Sequence, residues 1–180
     1  MISNTVTLFR IGLTVPLFLL LATDGPGLLA LLLFLGAGLL DVADGKLARA
    51  LGESSRLGAF LDLAGDRLLT LSAVVGLIAS ESLSLVGVLA GMILVARCAI
   101  VATAGEALGG PDKLKASSLE AAKIGLSFAG LGLAMAPVIP VEMPFGQMQL
   151  VETLLVGAAF LCAVTIVDYL RQAVRSLQAV

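Results

Sequence analysis

Residues 27–66 read GLLALLLFLGAGLLDVADGKLARALGESSRLGAFLDLAGD, and this stretch decides the fold. A long apolar run leads into one pair of aspartates, and a second apolar segment carries another pair after a short polar turn. In a bilayer, a single segment can satisfy its own backbone hydrogen bonds only as a helix. Spacings of three and four residues place each pair on one helix face. The stretch therefore predicts two antiparallel helices whose acidic faces meet: Asp41 and Asp44 on the first, Asp62 and Asp66 on the second.

The rest of the chain repeats the apolar character of this stretch. Hydrophobic residues make up 59% of the 180 residues and charged residues 13%, whereas soluble domains are about half apolar and a quarter charged. A small domain cannot bury so much apolar surface. We therefore predict a single all-α membrane domain over residues 1–180. Its six transmembrane helices, each near the ~20 residues that a span needs, are expected at 6–22, 27–48, 57–80, 85–105, 118–138 and 150–170.

The basic residues indicate how the six spans are oriented. The connections at 23–26, 81–84 and 138–149 contain no Lys or Arg. Cytoplasmic loops carry an excess of these residues, so the opposite side and both termini are predicted to be cytoplasmic. The first span is interpreted as a retained helix, and the expected location is the inner membrane of a bacterium. The residues that mark the cytoplasmic side are Lys46, Arg49, Arg56, Lys113, Lys115, Arg171 and Arg175.

Composition also narrows the chemistry. The net charge is −2, and the chain has no basic run and no Trp, so no nucleic-acid partner is expected. The absence of His removes the commonest general base and metal ligand. Proton transfer must then fall to Asp, Glu, Lys, Tyr or Cys. Cys98 and Cys162 lie in apolar runs, where a free cysteine behaves as a small hydrophobe.

The four aspartates point to divalent metal ions. Carboxylates inside a membrane helix are costly, and four that converge would also repel one another. Oxygen ligands suit Mg²⁺ or Mn²⁺, and two such ions can clamp the attacking and leaving oxygens of a phosphoryl displacement. The alternative for single aspartates is a buried ion pair with Arg49, Arg56 or Arg67, which explains the set of four less well.

The acidic pairs belong to a longer pattern, D-x2-D-G-x2-A-R-x8-G-x3-D-x3-D. Every specified position is matched, by Asp41, Asp44, Gly45, Ala48, Arg49, Gly58, Asp62 and Asp66. This pattern resembles the signature of the CDP-alcohol phosphatidyltransferases. Asn4, Thr7 and Arg10 also resemble the N-x-x-T-x-x-R element of that family's first helix. With the six-span pattern, the resemblance covers essentially the whole chain.

The resemblance implies transfer of a phosphatidyl group from CDP-diacylglycerol to an alcohol, with release of CMP, by a homodimer. It implies that Asp41, Asp44 and Asp62 bind two Mg²⁺ or Mn²⁺ ions. Asp66 would complete the second metal site and act as general base on the acceptor hydroxyl. The residues implied in CDP binding are Asn4, Thr7, Asp41, Gly45, Ala48, Arg49 and Gly58.

The acceptor alcohol is less clearly indicated. Residues 7–10, 58–62 and 165–171 resemble phosphatidylglycerophosphate synthases and, less closely, cardiolipin synthases. Glycerol 3-phosphate is therefore the expected acceptor, with Arg97 and Lys123 as its anion-binding residues. Snorkelling of these cations to the interface is the alternative. Three residues depart from the glycerophosphate synthase pattern: Gly105, Ala121 and Ile124. These departures leave phosphatidylglycerol and inositol phosphate open as acceptors.

Two rival functions are a membrane ion transporter and a non-catalytic scaffold. Intramembrane carboxylates also mark ion pathways, but these four cluster at one interface, and a scaffold needs no complete signature. Gly87 and Gly91 form a G-x-x-x-G pattern in the fourth span. This pattern predicts either a helix dimer face or close packing within the chain.

Overall fold

The computed structural model describes residues 2–23, 25, 27–51, 56–107, 120–137 and 146–178, with side chains for part of them. These residues form six α-helices and contain no strand. The all-α prediction is confirmed, and each of the six predicted segments overlaps one helix. The helices are α1 (Ile2–Ala22), α2 (Gly27–Leu51), α3 (Arg56–Ala79), α4 (Leu85–Ala107), α5 (Glu120–Met135) and α6 (Gln147–Gln178).

The connection between α3 and α4 is capped on both sides. The Ser82 N–H donates to the Leu77 carbonyl at 3.1 Å, and the Glu81 N–H donates to the Ile78 carbonyl at 3.1 Å. Glu81 has a φ of 52°, so this is a Schellman motif with a non-glycine residue in the left-handed position. The Ser84 hydroxyl then accepts from the Gly87 N–H at 3.2 Å, which caps the start of α4.

The lengths of α5 and α6 differ from the expected span. α5 has 16 residues and ends just before Pro137, which cannot continue a helix. α6 has 32 residues, or about 48 Å, and continues past residue 170, where we expected its span to end. The thickness of a bilayer limits only the length of the apolar part of a helix. A polar extension of the same helix can therefore be longer.

Among the described residues, one helix is both long and apolar enough to cross a membrane, at Gln147–Gln172 with a mean hydropathy of 2.3. Large apolar side chains elsewhere are exposed, as a lipid-facing surface requires. The six-span topology remains a prediction. Shorter apolar helical stretches lie at Thr7–Ala22, Gly27–Leu40, Leu85–Val101 and Ala122–Met135.

The helices group into two units. The first unit contains Met1–Leu83 and Gly132–Val141, and the second contains Ser84–Leu131 and Glu142–Val180. In the first unit α1 packs against α3 and α2, and α2 packs against α3. In the second unit α4 packs against α6. The expectation of a single domain stays a prediction.

The buried face of α1 explains how this helix packs. Among residues 7–22 of α1, whose side chains are described, five are buried at alternating spacings of three and four, which defines one helix face. The N-terminal half of this face is polar and the C-terminal half is apolar. Exposed apolar residues such as Leu8, Val15 and Leu19 occupy other faces. The buried residues are Thr7, Arg10, Thr14, Leu17 and Leu21.

α1 and α3 run in the same direction. A Cβ atom built on Gly65 would meet the Arg10 side chain, and one built on Gly76 would meet the Leu21 side chain. From Arg10 to Leu21, and from Gly65 to Gly76, the chain advances by eleven residues on both helices. The two contacts are therefore about 16 Å apart along parallel axes. This direction agrees with an up-down-up arrangement of α1, α2 and α3.

Candidate active site

The acidic pairs lie on two packed helices of the first unit. α2 is helical through Asp41 and Asp44, and α3 is helical through Asp62 and Asp66. The predicted spacings on one face of each helix are thus present. The side chains of Asp41, Asp44 and Asp62 lie outside the described residues, as does the turn 52–55.

Asp66 is the acidic residue whose side chain can be located. Its side chain is exposed, and its carbonyl accepts a hydrogen bond from the Thr70 hydroxyl at 3.1 Å within the helix. The residue before it, Gly65, is buried. The Asp66 carboxylate is therefore on the accessible side of α3, where a metal ion or an alcohol can reach it.

The residues fit a hard divalent ion. The donor set consists entirely of carboxylates, which suits Mg²⁺ or Mn²⁺, and one of the four is exposed. Among the side chains that the structure describes, no three aspartates, glutamates or cysteines cluster, but this set includes only Asp66 of the four. Bound to these aspartates, two ions would supply positive charge to neutralise a diphosphate.

Arg10, in the polar half of the buried α1 face, lies against α3 at Gly65. Thr7 and Arg10 are each 2% exposed. A Cβ atom on Gly65 would lie 2.6 Å from Nη2 of Arg10 and 3.1 Å from its Nε. The guanidinium therefore rests on bare helix backbone between Asp62 and Asp66. Sequence reasoning placed Arg10 in a motif but missed this contact. No local sequence signal indicated it, because the contact depends on the register of α1 against α3.

The other residues of the expected CDP site are placed less completely. Gly45, Ala48 and Arg49 are helical residues of α2, and their side chains lie outside the described residues, as does that of Asn4 in α1. Gly58 lies in the first turn of α3 and is half-buried. Their roles in CDP binding stay predictions.

The two cations expected at the acceptor belong to the second unit. Lys123 of α5 is 6% exposed, and Arg97 of α4 is half-buried. Cζ of Arg97 lies 5.9 Å from the centroid of the Tyr169 ring in α6, within cation–π range. A snorkelling lysine would keep its ammonium group exposed, so the burial of Lys123 favours an internal role. Sequence reasoning assigned no role to Tyr169.

The glycine pattern in α4 is part of the chain's own packing. Gly87 and Gly91 are both buried, which favours close internal packing over a dimer face. The homodimer therefore stays a prediction without support from this pattern. Cys162 is 1% exposed and Cys98 is half-buried, and both are free thiols.

A family model described as CDP-alcohol phosphatidyltransferase matches residues 1–170. The chain belongs to the CDP-alcohol phosphatidyltransferase family, so the resemblance is confirmed, as is the expectation of an enzyme at the level of the family. Members of this family generally depend on divalent metal ions.

One curated relative is named cardiolipin synthase (CMP-forming), from Streptomyces coelicolor. It is 43% identical over 93 residues, which cover 47% of this chain and 41% of the relative. The chain thus spans about two fifths of the length of the curated relative that it matches. No solved structure matches the chain.

Proposed function

We propose that the chain is an integral membrane enzyme that transfers a phosphatidyl group from CDP-diacylglycerol to an alcohol and releases CMP. One observation carries this proposal. The complete acidic signature lies on two helices that pack together, in a chain that the family model matches over residues 1–170. The exposed Asp66 gives the site a carboxylate that a substrate can reach.

The reaction requires one proton transfer and one exchange of phosphorus–oxygen bonds. The Asp66 carboxylate accepts the proton of the acceptor hydroxyl. The acceptor oxygen then forms a bond to the phosphorus that carries diacylglycerol, while the bond from this phosphorus to the CMP oxygen breaks. Arg49 holds the diphosphate, since its fork of donors suits phosphate oxygens. The four aspartates would hold two Mg²⁺ or Mn²⁺ ions, whose positive charge would stabilise the leaving CMP.

The acceptor is glycerol 3-phosphate in this proposal. In the second unit Lys123 is buried and Arg97 is half-buried, and a charge in a membrane helix favours a polar partner. An acceptor phosphate offers both cations charge-assisted hydrogen bonds, which are roughly twice as strong as neutral ones. The Tyr169 ring supports this role because it restricts the guanidinium of Arg97.

A second candidate acceptor is phosphatidylglycerol. The observation that favours it is the name of the Streptomyces coelicolor relative, cardiolipin synthase (CMP-forming). Phosphatidylglycerol also carries a phosphate, so the same two cations suit it. The two acceptors differ in their lipid tails and are distinguished by the lipid product.

The test is a purified-protein assay in detergent micelles. CDP-diacylglycerol is mixed with labelled glycerol 3-phosphate or phosphatidylglycerol, and the CMP and lipid products are measured. We expect CMP release and labelled phosphatidylglycerophosphate, loss of both with a chelator, and recovery with Mg²⁺ or Mn²⁺ but little recovery with Zn²⁺. Full activity after exhaustive chelation would contradict the metal requirement. No CMP with any alcohol would favour a transporter or scaffold.

The membrane arrangement is part of the same proposal: six spans, both termini cytoplasmic, and a homodimer in the inner membrane of a bacterium. The parallel α1 and α3 and the exposed apolar faces support it. Cysteines introduced at Gly25, Ser82 and Gln147 should react with an impermeant reagent outside intact cells. Cysteines at Ser54 and Asp112 should not react, and reversed labelling would overturn the cytoplasmic site.

A further inference from the structure

Among the glycines of α3 whose surroundings are described, two meet side chains of α1, and the two contacts differ in chemistry. At Gly76 an added Cβ would lie 2.7 Å from Cβ of Leu21. At Gly65 it would lie 2.6 Å from Nη2 of Arg10. One contact is therefore between hydrocarbon groups, while the other brings a guanidinium onto the backbone of the turn that carries Asp62 and Asp66.

Arg10 is buried against α3, on a different side of this helix from the exposed Asp66. It is 2% exposed, so its guanidinium does not reach the open side of α3, where Asp66 is exposed. Gly65 is three residues from Asp62 and one from Asp66, within a single helical turn of both. Burying a charge is costly unless its surroundings compensate, and this acidic turn is where a positive charge reduces repulsion between carboxylates.

We propose that Arg10 is a positioning residue for the acidic turn of α3. Its guanidinium, seated on the bare backbone at Gly65, sets the distance between α1 and the turn Asp62–Asp66 and holds a compensating positive charge beside it. An alanine at position 65 would displace the guanidinium, because its methyl group would occupy the same space. The inference rests on the proposed function, since it assigns the positioned carboxylates to that reaction.

The first test compares Gly65→Ala with Gly76→Ala, the same change at the other contact of the same two helices. A misplacement of about 1 Å can cost about a hundredfold in rate. We expect Gly65→Ala to lower kcat by about ten- to a hundredfold and to weaken Mn²⁺ binding by about tenfold or more. Gly76→Ala should lower thermal stability at least as much but leave kcat and Mn²⁺ affinity within about twofold. Mn²⁺ binding is measured on purified protein by electron paramagnetic resonance. Equal effects of the two variants would overturn the proposal.

The second test changes the guanidinium. Lysine keeps the positive charge but ends in a single atom, so Arg10→Lys should leave room for the methyl group of Gly65→Ala. We expect Gly65→Ala to reduce kcat and Mn²⁺ affinity by less than about threefold when Arg10→Lys is already present. Equal losses in both backgrounds would mean that the two residues act independently, which refutes the contact as the cause.

The experiment separates failure of this inference from failure of the proposed function. If Gly65→Ala does not fold, the double variant should fold, because the clash is removed; if neither folds, the inference is wrong. If the wild-type protein neither binds Mn²⁺ nor releases CMP, the proposed function fails. In that case the melting temperatures of the two single variants and the double variant test the contact between Arg10 and Gly65 by itself. Additive changes in melting temperature for Arg10→Lys and Gly65→Ala would refute the contact.

Discussion

The two units of the molecule carry the residues proposed for the reaction and for the acceptor in different arrangements. In the first unit the acidic residues lie at fixed spacing within 26 residues of one helical hairpin. In the second unit Arg97, Lys123 and Tyr169 come from three separate helices. A pattern that is local in sequence can be recognised from its spacing, whereas a contact between separate helices, such as that of Arg97 with Tyr169, requires the fold. This difference explains why the sequence predicts the reaction more firmly than the acceptor.

The largest effect should come from the first unit. Asp66→Asn removes the proposed base but keeps the size of the side chain, and general bases contribute about 10²- to 10⁴-fold. We expect kcat to fall by that factor while CDP-diacylglycerol binding survives in part. Asp41→Asn should lower kcat and also weaken CDP-diacylglycerol binding, since it removes a proposed metal ligand. The matched control is Glu152→Gln on α6, which should keep kcat within about twofold. Wild-type turnover in the Asp66 variant would refute its role.

Substitutions in the second unit should raise the KM for the acceptor and leave the KM for CDP-diacylglycerol unchanged. Losing one charge-assisted hydrogen bond costs about 1.5–3 kcal/mol, roughly ten- to a hundredfold in KM. Arg97→Ala and Lys123→Ala should each raise the KM for glycerol 3-phosphate by that factor and leave the KM for CDP-diacylglycerol nearly unchanged. Arg171→Ala, which removes an exposed cation of the same unit, is the control. Small and equal effects on both substrates would favour snorkelling.

A smaller effect is expected at the ring that contacts Arg97. A cation–π contact contributes about 0.5–2 kcal/mol, or roughly two- to thirtyfold in KM. Tyr169→Leu should raise the KM for the acceptor within that range, because the guanidinium loses the surface that restrains it. Tyr169→Phe keeps the ring and should stay within about threefold of wild type. If both variants lose activity equally, the hydroxyl and not the ring is responsible.

Much of the fold follows from the apolar pattern, and the exceptions have physical causes. The predicted starts of α2 and α4, at residues 27 and 85, agree with the structure because glycine and serine turn signals precede the apolar runs. The extent of α6 could not be predicted from hydropathy, because its last turns are polar and helical propensity there does not depend on lipid.

The candidate site also has a part that the sequence predicts and a part that it does not. The helical positions of Asp62 and Asp66 were predictable from their spacing of four residues. The contact of Arg10 with Gly65 was not, because it depends on the parallel register of α1 and α3, which no local pattern encodes. The Arg97–Tyr169 contact likewise joins residues 72 positions apart, counting from 97 to 169.

The smallest effect is expected in the connection between the two units, at Glu81, which takes no part in either site. Glu81 has a φ of 52°, and a left-handed conformation costs an L-residue about 1–2 kcal/mol. Glycine removes that strain but loses more entropy on folding, by roughly 0.5–1 kcal/mol. Glu81→Gly should therefore stabilise the protein by about 0.5–1 kcal/mol, a rise in Tm of about 1–4 °C, with kcat unchanged. Ser82→Gly is the control, because Ser82 has no left-handed φ and its replacement should lower Tm slightly. Thermal unfolding in detergent micelles measures both. A fall in Tm for Glu81→Gly would mean that the Glu81 side chain stabilises the turn by more than the backbone strain costs.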